Sequence, residues 1–159
     1  MAFEDLVPLR VGDTAPDFTL PDEHGEPVRL SQIAATRPVV LVFVPAAFTG
    51  ICTGEYCELR DNISLFQDSH VQLLGISVDP KSALRVWKEQ EQLDFPLLSD
   101  FWPHGEVASA YGVFLPDRGV ATRATFVIDD TLTVRAAFVN PPGEPRPIAA
   151  YREALAALG

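Results

Sequence analysis

An α/β fold with a central mixed sheet flanked by helices is predicted by three observations. Pro38-Val39-Val40-Leu41-Val42-Phe43-Val44 is an unbroken apolar run with the length and β-branched content of a strand buried on both faces. A helix-periodic segment separates it from a second such run, Val71-Gln72-Leu73-Leu74-Gly75-Ile76-Ser77-Val78, which makes a right-handed strand–helix–strand crossover and a parallel pair. Residues 123–129 and 132–139 are apolar segments divided by Asp130-Thr131, a hairpin signal that adds antiparallel strands to the same sheet. One domain covering residues 1–159 is expected, because a chain of about 150 residues buries roughly 70% of its unfolded surface in one core.

In chain order, Asp17-Phe18-Thr19-Leu20 and Pro27-Val28-Arg29-Leu30 flank a turn containing Gly25 and read as an N-terminal β-hairpin. Ser31 to Ala35 adds about one helical turn before the central strand. Beyond the loop from Pro45 to Gly50, Leu59, Ile63 and Phe66 fall at helical spacing, so a helix is placed at about 52–68. The strand at 71–78 follows, then an amphipathic helix over 81–90 with Leu84 and Trp87 on its core side. Phe95 to Gly105, rich in aromatics and proline, reads as a structured loop carrying Phe101 and Trp102, and Glu106 to Tyr111 as a short helix. After the 123–139 hairpin, the prolines of 140–147 break regular structure, and Ile148 to Leu158 closes the chain as a helix.

Composition excludes several function classes. A net charge of -10 argues against nucleic acid and anionic membranes as partners. Met1 to Pro8 lacks a basic segment followed by a long apolar core, and no run approaches the ~18 apolar residues of a membrane span, so a cytoplasmic protein is expected. His24, His70 and His104 are isolated and without ligand spacing, which predicts no metal site. No phosphate-binding glycine fingerprint is present, and no cofactor is expected.

The chemistry concentrates in Pro45-Ala46-Ala47-Phe48-Thr49-Gly50-Ile51-Cys52 and its continuation through Glu55 to Cys57. Cys52 falls in the first turn of the predicted helix. Unpaired amide N–H groups and the positive end of the helix dipole favour an anion there, and the thiolate is the nucleophilic form of cysteine. A small, inert, buried cysteine is the plain alternative at such a position.

The spacing Pro45-x3-Thr49-x2-Cys52 resembles the active-site signature of the peroxiredoxins, thiol peroxidases of the thioredoxin superfamily. The likeness runs from Gly12-Asp13-Thr14-Ala15-Pro16-Asp17-Phe18 to the terminal helix. Ala47 to Cys52 and Phe95 to Gly105 are similar to the actinobacterial alkyl hydroperoxide reductase E group. The resemblance implies a thioredoxin-like fold and reduction of hydrogen peroxide, alkyl hydroperoxides or peroxynitrite. It also implies that Cys52 is the peroxidatic cysteine, Thr49 the hydroxyl that orients the peroxide, and Pro45 the shield over the thiolate. Arg123, just before an apolar strand, matches the family's arginine, and Glu55 the glutamate paired with it. Without that likeness Thr49 reads as an ST-turn or helix-cap hydroxyl, Arg123 as a strand-edge cation and Glu55 as a first-turn carboxylate.

Cys57 departs from the reductase E pattern and resembles the resolving cysteine that Q-type, bacterioferritin-comigratory peroxiredoxins carry five residues after the first. Five residues along an α-helix put the Cα atoms roughly 8.6 Å apart. A disulfide needs them within about 7 Å, so the helix must unwind before the two cysteines bond. The expectation is an intramolecular disulfide, with two alternatives left open: a one-cysteine peroxidase resolved by an external thiol, or a thioredoxin-like sensor or carrier. Implied partners are a peroxide, a thiol reductant (thioredoxin, a mycothiol-linked mycoredoxin or a small thiol) and a second copy in a homodimer, with Phe48 and Trp102 at the contact.

Overall fold

The computed structural model describes residues 2–158. β1 (Thr19–Pro21) and β2 (Pro27–Arg29) form the expected N-terminal hairpin, with Gly25 supplying a positive φ in its turn. α1 (Leu30–Ala34) leads to the central strand β3 (Val39–Phe43), every residue of which is buried. Then come α2 (Gly50–Asp61), α3 (Ile63–Asp68), β4 (Gln72–Ser77), α4 (Lys81–Glu91), β5 (Leu97–Ser99) and α5 (Glu106–Ala110). The second half adds the short strands β6 (Phe114–Leu115) and β7 (Val120–Ala121), the long strands β8 (Arg123–Ile128) and β9 (Val134–Asn140), and α6 (Ile148–Ala156).

The main sheet has the order β5-β4-β3-β8-β9, with β3, β4 and β5 parallel and β8 and β9 antiparallel to their neighbours. Side chains alternate across a strand. Val39, Leu41 and Phe43 accordingly enter one core with Leu74, Ile76, Tyr111 and Phe126, under α1 and α5. Val40, Val42 and Val44 enter the other with Tyr56, Trp87, Phe95 and Tyr151, under α2, α3, α4 and α6. A strand buried on both faces must be apolar throughout, which is why β3 reads as a continuous run.

The second core fixes α2 against the strand ends. Tyr56 donates its hydroxyl to the Val42 carbonyl at 2.8 Å and accepts the Ile76 amide at 3.1 Å, bridging β3 and β4. Gly75 makes room for it: a Cβ there would stand 2.7 Å from the Tyr56 oxygen. Trp87 stacks on Tyr56 at 5.1 Å and donates its indole N–H to Thr53 Oγ1 at 3.2 Å.

Three features differ from the sequence reading. The helix expected at about 52–68 is interrupted at Asn62, whose side-chain amide bonds the Glu58 carbonyl at 2.8 Å and competes with the helical ladder. The loop over 95–105 contains β5, three buried residues whose pairing with β4 has no periodic signature at that length. The β6–β7 hairpin is shorter still, at two residues a strand. No helix among the described residues is long and apolar enough to cross a membrane.

Candidate active site

β3 delivers the chain through Val44 and half-buried Pro45 into a loop that ends at the start of α2. Thr49 occupies the N-cap position, extended at φ -88° and ψ 154°, and Cys52 is the third helical residue, with no solvent-exposed surface. Helical spacing puts Glu55 one turn further on the same face, and it too is buried. Arg123, the first residue of β8, reaches across from the neighbouring strand. Its Nη1 lies 3.3 Å from Cys52 Sγ and 2.6 Å from Glu55 Oε1, while its Nε donates to the Pro142 carbonyl at 2.7 Å.

A second arginine completes the cluster. Arg146, buried in the proline-rich segment before α6, donates from Nη2 to Glu55 Oε1 at 2.8 Å. Its Nε and its backbone N–H donate to Glu55 Oε2 at 3.0 and 2.6 Å. Nη1 bonds the Ala124 carbonyl at 2.9 Å and Thr125 Oγ1 at 3.2 Å, so the guanidinium is tied to β8 as well. Burial alone would push the Glu55 carboxyl up, but the hydrogen bonds and charge of Arg146, with the charge of Arg123, hold it below its ordinary value. Two guanidinium groups against one carboxylate leave one positive charge, and the sulfur that Arg123 touches is where an anion would balance it.

The structure thus brings Cys52, Glu55 and Arg123 together. Thr49 stands three residues away with its hydroxyl donated to the Ala46 carbonyl at 2.8 Å; it makes no helix-cap bond. Pro45 borders the same loop. Cys57 lies elsewhere on α2, half-buried, with its thiol donating to Glu91 Oε2 at 3.6 Å. Burial, with the charge of Glu91, pushes this thiol up despite the opposing charge of Arg60. Both cysteines are free. Arg146 was not found from the sequence because no motif marks it. The one available signal was the need for more than a single cation beside Glu55 if a thiolate is to form there.

The remaining histidines serve structure or face solvent. His104 bonds the Gly119 carbonyl at 2.7 Å, and His24 and His70 are exposed.

The sequence profile of the AhpC/TSA family matches residues 11–137. Alkyl hydroperoxide reductase E of Mycobacterium tuberculosis is 48% identical over 150 residues, covering 94% of this chain and 98% of that protein. Among solved structures, peroxidoxin BcpB from Mycobacterium tuberculosis superposes with a TM-score of 0.82 at 38% identity, covering 94% of this chain and 96% of that one. The reduced 2-Cys peroxiredoxin of Plasmodium vivax gives a TM-score of 0.85 at 28% identity, over 95% of this chain and 82% of the other.

Proposed function

The chain belongs to the AhpC/TSA family of peroxiredoxins and is a thiol-dependent peroxidase with a thioredoxin-like fold, and we propose that Cys52 is its attacking sulfur. The observation that carries this assignment is the buried Cys52 sulfur 3.3 Å from an arginine that Glu55 holds in place. In the reaction the Cys52 thiolate attacks one oxygen of a hydroperoxide. An S–O bond forms, the O–O bond breaks, and the leaving oxygen takes up a proton as water or an alcohol, while Cys52 becomes a sulfenic acid. Charge develops on the attacked and leaving oxygens, so donors aimed along that axis lower the barrier. Arg123 and the backbone N–H at the start of α2 supply them, Thr49 receives the peroxide, and Pro45 covers the thiolate.

Cys57 then condenses with the sulfenic acid, forming an S–S bond and releasing water, and an external thiol reduces the disulfide. Thioredoxin, a mycothiol-linked mycoredoxin and a small thiol each fit the chemistry, as do hydrogen peroxide, alkyl hydroperoxides and peroxynitrite as substrates. A second reading, a one-cysteine peroxidase, is favoured by a specific observation: Cys57 is engaged with Glu91 on a different side of α2 from Cys52. We further assign the 159 residues to one domain, a cytoplasmic setting that keeps both thiols reduced, and a homodimer. Peroxide turnover with a supplied thiol tests the assignment. Cys52→Ser should abolish it, and a variant retaining a tenth of the wild-type rate would refute the role of Cys52.

A further inference from the structure

We propose that Asp79 is a positioning residue for peroxide reduction, acting through the single peptide group between Ala46 and Ala47 to aim the Thr49 hydroxyl. The inference rests on Thr49 being the residue that receives the peroxide.

Asp79 is anchored where β4 and β5 end. Its Oδ2 accepts the Ser77 hydroxyl at 2.7 Å, and its carbonyl accepts the Ser99 hydroxyl at 2.7 Å. The same Oδ2 reaches into the loop before α2 and accepts the Ala47 amide at 2.8 Å. That N–H shares a planar trans peptide with the Ala46 carbonyl, so the two point in opposite directions from one rigid unit. The Ala46 carbonyl is the acceptor of the Thr49 hydroxyl, at 2.8 Å. A carboxylate at one end of the peptide therefore sets where the hydroxyl sits at the other, and the bond to an ionised acceptor polarises the unit and strengthens the second bond.

The consequence is chemical as well as geometric. A threonine hydroxyl has one hydrogen and two lone pairs. With the hydrogen committed to Ala46, Thr49 meets the substrate as an acceptor only, which suits the O–H end of a hydroperoxide. The loop needs such an anchor. Phe48, next to this peptide, holds a left-handed φ of 65°, a conformation that persists in a non-glycine residue only when its surroundings enforce it. On its other side the loop is held by the Phe48 ring, 6.2 Å from Trp87.

The test is the rate of Cys52 oxidation by hydrogen peroxide, followed by tryptophan fluorescence, in wild type, Asp79→Ala, Asp79→Asn, Thr49→Val and the Asp79→Ala/Thr49→Val double variant. In parallel, alkylation of Cys52 by iodoacetamide is followed by peptide mass, since that reaction needs no hydroxyl acceptor. Asp79→Ala should slow oxidation about ten- to hundredfold, the scale of a misplaced reacting group, and leave alkylation unchanged. Asn keeps an oxygen for the Ala47 and Ser77 donors and should recover most of the loss. The double variant should be no slower than Thr49→Val, because Asp79 acts through Thr49. A wild-type rate in Asp79→Ala, an equal loss in alkylation, or losses that multiply in the double variant would overturn the proposal. If Thr49→Val keeps the wild-type rate, the assignment of Thr49 falls and this one with it; if Thr49→Val is slow and Asp79→Ala fast, only Asp79 falls. Should the alanine variant not fold, Asp79→Ser, too short to reach the Ala47 amide, takes its place with the same expectation.

Discussion

Arg123 serves two acceptors from one nitrogen, the Cys52 sulfur and the Glu55 carboxylate. On the proposed mechanism, removing it strips an oriented cation from the place where peroxide charge develops, and it leaves Glu55 to Arg146 alone. Arg123→Ala should therefore cost about 2–4 kcal/mol of transition-state stabilisation, the range for one preorganised donor; stopped-flow oxidation rates measure it, and an unchanged rate would assign the role elsewhere. Lysine should not substitute, because a point charge cannot bond the Pro142 carbonyl, Glu55 and sulfur in one plane. Cys57 presents the opposite environment. Its thiol is half-buried and faces a carboxylate, so its pKa lies above the ordinary thiol value and the neutral form persists at neutral pH. In a Cys52→Ser protein, alkylation of Cys57 should rise with pH only at more alkaline values than for a free small thiol; a midpoint at or below that of the small thiol would contradict the burial argument.

At the scale of the element, α2 joins two demands. Its first turns carry Cys52 and Glu55, and Glu55 locks the helix to β8 and to the segment before α6 through two arginines. Breaking a buried ion pair by deleting one partner strands the others, so Glu55→Gln should lose about 3–5 kcal/mol of stability at neutral pH in urea unfolding. The sign of the pH dependence follows from the lowered pKa. The stabilisation is complete above the unfolded carboxyl value near 4.5 and disappears as pH falls through the lower folded value, so the gap between wild type and Glu55→Gln should close in acid. The same helix must open for Cys57 to reach Cys52. Beyond the first turns it is held by Tyr56 between β3 and β4 and by Arg60, whose Nη1 bonds the Glu91 carbonyl at 2.6 Å, so unwinding is confined to the N-terminal turns. If Cys57 resolves, one equivalent of peroxide should lower the intact mass by about two hydrogens, and Cys57→Ser should hold the sulfenic acid and overoxidise at lower peroxide. A dominant gain of one oxygen in the wild type would establish the one-cysteine mechanism.

At the scale of the whole molecule, Phe48 in the loop before α2 is 50% exposed and Trp102 79%, with Ile51 in the first turn of α2 and Phe101 beside Trp102 also exposed. Apolar groups left in water mark contact surfaces, and closed two-fold dimers are the commonest assembly. Sedimentation should give twice the chain mass, and Trp102→Asp should shift it towards the monomer; a wild-type mass equal to one chain at all concentrations would refute the homodimer. The elements themselves were legible in the amino-acid order wherever burial imposes a period: the unbroken run of β3, the Leu84 and Trp87 register of α4, the glycine turn of the first hairpin. Cys52 at a helix start was legible because a strand, a loop and a helix follow one another within a few residues, and so were its neighbours Glu55 and Thr49. The short strands β5, β6 and β7 were not, since two or three residues carry no period, whereas the equally short β1 and β2 were marked by the glycine turn between them; the break at Asn62 arises from one side chain competing for one carbonyl. Tertiary structure alone decided that Arg146, 91 residues from Glu55 in sequence, closes the ion cluster, that Asp79 holds the Ala46–Ala47 peptide, and that Cys57 faces Glu91. Local order determines which face of a helix a side chain occupies; which distant charge meets that face is set only when the sheet order brings β8, the end of β4 and the segment before α6 around α2.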